Sequence, residues 1–165
     1  MSGSENSQMP PLHLPIWSKA PTCRDGQILC SVRKRFVKLE PEEWVRQHWL
    51  DFLVHHKGYP GGGISVEHGL VLNGMNRRAD VLCHSPEGQP LLLLECKAPD
   101  VKLTQSALDQ IWQYRLALNP PPLVLVLSNG LHHQAFVTQT PGGGPQVLHQ
   151  LPSCAEVRRM TADLP

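Results

Sequence analysis

Two acids and a lysine hold the chemistry legible in this sequence. Glu95 and Lys97 sit near the end of the run Pro90-Leu-Leu-Leu-Leu-Glu-Cys-Lys-Ala-Pro99, and Asp80 lies upstream in Arg77-Arg-Ala-Asp-Val-Leu-Cys83. Four leucines bounded by prolines read as a strand buried on both faces. Alternation along it sends Glu95 and Lys97 to one face and Cys96 to the other. Charges at the end of a buried strand are costly unless they pair or bind an ion. Glu-x-Lys alone is a short pattern, and an end-of-strand ion pair explains it. Asp80 changes the weighing. Ser85-Pro-Glu-Gly88 is a turn signal between the two runs, so they pair antiparallel and bring Asp80 beside Glu95 where the hairpin opens. Adjacent carboxylates repel, and a hard divalent cation such as Mg²⁺ relieves the repulsion. A lysine beside them orients a metal-bound water and stabilises charge on a phosphate.

Several elements must position these groups. Pro41–His55 reads as a helix, with proline in its first turn and Glu42 and Glu43 at its positive end. Trp44, Val45, Trp49, Phe52 and Leu53 form one apolar stripe on it. Ile64–Leu72 reads as a strand closed by an Asn73-Gly74 turn, so the Asp80 and Glu95 strands complete a meander of three. Thr104 caps a second helix that runs to about Leu118. On it Gln110 and Tyr114 are four apart and share a face with Ala107 and Ile111. Core packing explains Tyr114; Gln110, in line with the apolar stripe, is expected to face the site. Leu123–Leu127 reads as a buried strand parallel to the Glu95 strand. Gln134–Thr138 follows the Ser128-Asn-Gly130 turn, and Gln146–Leu151 reads as an edge strand.

Upstream, Gln27–Val32 and Arg35–Leu39 read as short strands around Arg33-Lys34. Arg33, Lys34, Arg35 and Lys38 form the local candidate for phosphate-backbone contact. A solvated strand edge is the ordinary alternative. Residues 1–25 read as a flexible arm with Leu12, Leu14, Ile16 and Trp17 as anchors. Residues 26–151 form the domain, with a flexible loop at Thr140–Pro145, and 152–165 read as a loose tail.

Composition narrows the class. A chain of 165 residues supports one core. A net charge of +1 gives no overall field for nucleic acid, so only local basic clusters can serve. Five cysteines without CxxC spacing argue against a zinc ribbon and a disulfide framework, and fit a reducing cytoplasm. Nine histidines include no HExxH, and His55-His56 and His132-His133 read as surface residues. No signal peptide or membrane span is expected.

An Asp followed across a hairpin by Glu-x-Lys resembles the PD-(D/E)xK nucleases, with Ala79-Asp80 at the loose first position. Further segments sharpen the likeness: Arg33-Lys-Arg-Phe-Val, Pro41-Glu-Glu-Trp-Val-Arg-Gln47, Arg78-Ala-Asp80, Leu93-Leu-Glu-Cys-Lys-Ala-Pro99, Leu108-Asp-Gln-Ile111 with Tyr114, and Ser128-Asn-Gly-Leu131. Together they are similar to the N-terminal nuclease domain of the R (HsdR) subunit of type I restriction enzymes. Gln110 and Tyr114 match that family's Gln-x-x-x-Tyr element. The resemblance implies a restriction-endonuclease-like α/β fold, a mixed central sheet flanked by helices. It also implies Mg²⁺-dependent cleavage of DNA, with Mn²⁺ as a substitute. Asp80, Glu95 and the backbone carbonyl of Cys96 would hold the metal, with Glu43 a further candidate against the helix-dipole reading. Lys97 would assist, and Gln110 and Tyr114 would support the site or contact DNA. No helicase motor is present in these residues, so ATP-driven translocation is not implied. The alternative is a nuclease fold that grips DNA or a protein without cutting. The weak overall field favours help from a protein partner or a homodimer; no membrane is expected.

Overall fold

The computed structural model describes residues 9–138 and 144–164. The expected disorder of residues 1–8 and most of the expected Thr140–Pro145 loop lie outside the described residues. A small antiparallel sheet comes first: β1 (Cys23–Arg24), β2 (Gln27–Cys30) and β3 (Arg35–Lys38). Helix α1 (Pro41–His55) follows, then a 3₁₀ turn at Gly61–Gly63. The main sheet takes β4 (Ile64–Leu72), β5 (Met75–His84) and β6 (Pro90–Cys96) as an antiparallel meander. Helix α2 (Gln105–Leu116) crosses to β7 (Val124–Ser128), which pairs parallel with β6. β8 (His133–Val137) and β9 (Gln146–Leu148) extend the sheet, and α3 (Cys154–Ala162) ends the described chain.

Alternation on β6 divides the core. Leu92, Leu94 and Cys96 pack with Val45, Trp49, Leu50 and Leu53 of α1 and Val157 of α3. Leu93 faces the other way, with Leu82, Leu125 and the α2 residues Ile111 and Tyr114. The six-stranded sheet therefore lies between α1 with α3 on one side and α2 on the other. Thr104 caps α2 as its type prescribes, its side chain accepting from the Ala107 N–H at 3.2 Å.

Helix α1 departs from the expected single stripe. Glu43 to Asp51 are all buried. The small sheet covers part of the helix, with Ile28 and Cys30 fully buried. The chain before β1 covers more. Trp44 Nε1–H donates to the Pro10 carbonyl at 3.3 Å, and His48 Nε2 bonds the Pro15 carbonyl at 2.7 Å. Trp17 stacks on His48 with ring centroids 4.3 Å apart, and the Ser18 N–H donates to Asp51 at 2.8 Å. Leu12 and Leu14 pack on the core, whereas Ile16 is 90% exposed and anchors nothing. Leu12 lies so close to Gly130 that a β-carbon there would meet its Cδ2 at 2.6 Å; glycine at φ +85° is required for the strap to dock. Residues 9–22 thus form a fitted strap, not a loose arm.

The expected loose tail is likewise corrected. Ser153 and Glu156 form a reciprocal capping box at the start of α3, and Cys154 and Val157 are buried. The Cys154 N–H donates to the Lys57 carbonyl at 2.8 Å, which ties the helix to the end of α1.

Candidate active site

The site forms where two strands part. Backbone pairing between β5 and β6 ends at Val81 and Leu94. Beyond that pair, side chains replace the ladder. The Asp80 N–H donates to Glu95 Oε1 at 3.0 Å, and the Cys96 N–H donates to Asp80 Oδ2 at 2.8 Å. Each strand thus receives an acceptor from the other strand's acid. The two carboxyl groups adjoin. Burial first, and then the Asp80 charge, push the Glu95 carboxyl up to about 9. The pair therefore retains a proton at neutral pH.

A buried cation completes the cluster. Arg46 on α1 donates to Asp80 Oδ1 at 3.2 Å and to Glu42 at 3.4 Å, and it also binds Glu43. Burial opposes its charge, but Asp80, Glu43 and Glu42 more than offset that and raise its pKa. Glu43 faces inward. It accepts from Arg33 at 2.6 Å and from Gln47 at 2.8 Å as well as from Arg46, so its oxygens are occupied by protein donors. Glu42 is half-buried; burial and then the nearby Asp80 charge raise its pKa. Glu42 thus feels the charges of Asp80 and Lys97. Sequence reading passed over Glu42 and Arg46. They are i, i+4 and in line with Trp49 and Leu53 of the apolar stripe.

Lys97 lies just past β6, its N–H donating to the Ser128 carbonyl at 2.8 Å. Its side chain lines a cleft of about 680 Å³ shared with Gln110 and Tyr114. Gln110 Nε2–H donates to Tyr114 Oη at 3.0 Å. The structure therefore brings Asp80 and Glu95 together and puts Lys97 in one cleft with the Gln-x-x-x-Tyr pair. The basic cluster divides. Arg33 is turned inward, onto Glu43 at 2.6 Å and Glu67 at 3.2 Å. Lys38 pairs with Glu40 at 3.0 Å, while Lys34 and Arg35 are exposed.

The donor set suits a hard cation. Two carboxyl groups crowded enough to retain a proton are hard-oxygen ligands whose repulsion a divalent ion would relieve. Among the described residues no three His, Cys, Asp or Glu side chains are grouped to hold a metal ion, so the pair would need a backbone carbonyl and water to complete a shell. No helix among the described residues is long and apolar enough to cross a membrane.

Known proteins share this architecture. No curated protein matches the chain. Among solved structures, a fragment attributed to the HsdR subunit of a type I restriction enzyme from Vibrio vulnificus YJ016 superposes with a TM-score of 0.58 at 18% identity. The match covers 75% of this chain and 25% of that one, so this chain spans a quarter of its length. That likeness is one of fold, and it agrees with a restriction-endonuclease-like mixed sheet flanked by helices. Residues 41–152, which carry α1, the parted strands and α2, match the family described as type I restriction enzyme R protein N terminus (HSDR_N). More than half of the sequence lies within that match, and the chain belongs to this family.

Proposed function

We propose that this domain is a metal-dependent DNA endonuclease. The observation that carries the reading is the parted end of β5 and β6, where adjoining Asp80 and Glu95 carboxyls sit one step from Lys97. Asp80, Glu95 and the Cys96 carbonyl would hold Mg²⁺, or Mn²⁺ in its place, with Glu42, whose oxygens carry fewer protein donors than those of Glu43, a candidate for a further oxygen. When bound, such an ion lowers the pKa of a coordinated water and neutralises charge on the phosphate. The chain's own groups do the rest. Glu95 would ligate as the carboxylate, its proton passing to solvent, and Arg46 holds Asp80 in place through its hydrogen bond to Oδ1. Lys97 positions the attacking water and stabilises charge on the phosphate in the transition state. Gln110 and Tyr114, bonded to each other, set the wall against which the substrate backbone rests. The reaction would run in the cytoplasm, on DNA.

The non-cleaving alternative draws on one observation: protein donors already hold the Asp80 carboxylate, Arg46 at 3.2 Å and the Cys96 N–H at 2.8 Å. Incubation of plasmid and single-stranded DNA with Mg²⁺, Mn²⁺ or EDTA separates the two. Cleavage with either ion and none in EDTA is expected, and Lys97→Ala should reduce it by at least about 10²-fold, far more than the severalfold loss of DNA affinity expected from one phosphate contact. Retained DNA binding with no cleavage under any ion would establish the alternative.

A further inference from the structure

The β4–β5 hairpin overhangs the sheet. It is paired from Ile64–Cys83 to Leu72–Met75, while β6 accompanies β5 only as far as Val81. Met75 to Asp80 therefore project as a two-stranded ribbon about 20 Å long at the usual strand rise. Asp80 stands at its base, and Val71 and Met75 are 61% and 50% exposed near its tip. The ribbon forms one wall of the Lys97 cleft, and the start of α2 forms the other.

Cations are unevenly disposed around this space. Arg77 on the ribbon, Lys97 and Lys102 before α2 all line it. Among the described residues none of the three has an ion-pair partner. The one acid of the lining, Asp109, accepts from Gln105 at 2.9 Å. Arg33 in the basic cluster, by contrast, is neutralised by two glutamates. Unpaired cations in a concave site next to a phosphate-directed lysine are what a polyanion backbone requires.

We propose that the phosphodiester backbone of DNA runs through this cleft, with Arg77 and Lys102 each holding a phosphate beside the one presented to Lys97. The assignment rests on the nuclease reading for the identity of the ligand, but not on cleavage. A ribbon of this kind is also of a size that enters a duplex groove.

Fluorescence anisotropy tests it with short fluorescein-labelled oligonucleotides, single-stranded and duplex, in EDTA across a NaCl series. Arg77→Ala and Lys102→Ala should each weaken binding roughly threefold to tenfold and lower the log–log salt slope by about 1. Arg77→Glu should weaken it further. Both side chains are exposed, so melting temperatures should stay at the wild-type value. A loss seen with the single strand alone identifies a threaded strand, and a loss with both probes identifies one strand of a duplex; either supports the cleft. Unchanged affinity and slope in the cleft variants, a loss confined to a Lys34→Ala/Arg35→Ala variant, or no binding by the wild type would overturn the proposal. Binding through the cleft without any cutting would instead sink the nuclease reading and leave this one standing.

Discussion

At the residue scale, the Asp80–Glu95 pair works against a simple repulsion argument. Sequence alone suggests that removing one of two like charges relieves strain, so that Asp80→Ala would melt no lower than wild type without metal. The geometry reverses that sign. Burial and then Asp80 push the Glu95 carboxyl up to about 9, so the pair shares a proton at neutral pH and little repulsion exists to relieve. Asp80 meanwhile accepts from the Cys96 N–H and from buried Arg46. Asp80→Ala orphans that N–H, at about 1–3 kcal/mol, and leaves Arg46 less well compensated. Differential scanning fluorimetry at pH 7 in EDTA should show a melting temperature lower by roughly 5–10 °C. Asp80→Asn, which keeps an acceptor, should fall less. Added Mg²⁺ should raise the wild type and not Asp80→Ala. An Asp80→Ala melt at or above wild type in EDTA would refute the structural role of Asp80, and equal Mg²⁺ gains would refute its role as a ligand. Residue type and spacing made the pair legible. Arg46 was legible only as an i, i+4 partner of Glu42 in line with Trp49, a spacing that a solvated pair at the edge of the stripe shares.

At the element scale, the strap depends on neutral histidines. Trp49 Nε1–H and the Gly130 N–H both donate to Ser128 Oγ, which bonds His133 Nδ1 at 2.7 Å; His133 Nε2 reaches the His13 carbonyl at 2.8 Å. With its oxygen taking two donors, the hydroxyl gives its own hydrogen to Nδ1, and Nε2–H donates to His13. On α1, His48 bonds the Pro15 carbonyl while its buried Nδ1 has no partner. Burial lowers the pKa of both rings, and backbone carbonyl acceptors oppose this only partly. A lowered histidine pKa means that the unfolded or undocked chain binds the extra proton. The stability these rings supply is therefore present above about pH 6.5 and lost as the pH falls below it. Amide exchange of His13 and Ser18, corrected for intrinsic rates, should quicken between pH 7 and pH 5 more than that of Leu93. Uniform behaviour across all three amides would refute a histidine-dependent strap. Strand periods, turn residues and the Thr104 cap exposed the sheet and α2 in advance. The cover of α1 stayed hidden because it comes from segments distant in sequence, which a local stripe does not encode. The Ser153-Cys-Ala-Glu156 capping pattern in front of α3 was legible and passed over.

At the scale of the whole molecule, the family match and the cooperative unit differ. The match covers 41–152, yet the strap, the small sheet and α3 all pack on the same core. Ile28 and Val157 are fully buried, each contributing about 1.5–3 kcal/mol when removed from water, and buried Cys30 and Cys154 add to them. That sum rivals the net stability of a domain. A fragment limited to residues 41–152 should therefore lack a sharp unfolding transition by circular dichroism, while the full chain melts cooperatively. A cooperative melt of the fragment near the full-length temperature would show that the flanks are ornament. The end of the β5–β6 ladder carries a different consequence. There the acids stand in for backbone carbonyls, so a lineage that abandoned cutting could not discard them freely. Its tolerated replacements are amides, asparagine at 80 and glutamine at 95, which still accept the two N–H groups. Among descendants of such a domain, silence of the chemistry would be written in Asn and Gln well before it was written in Ala.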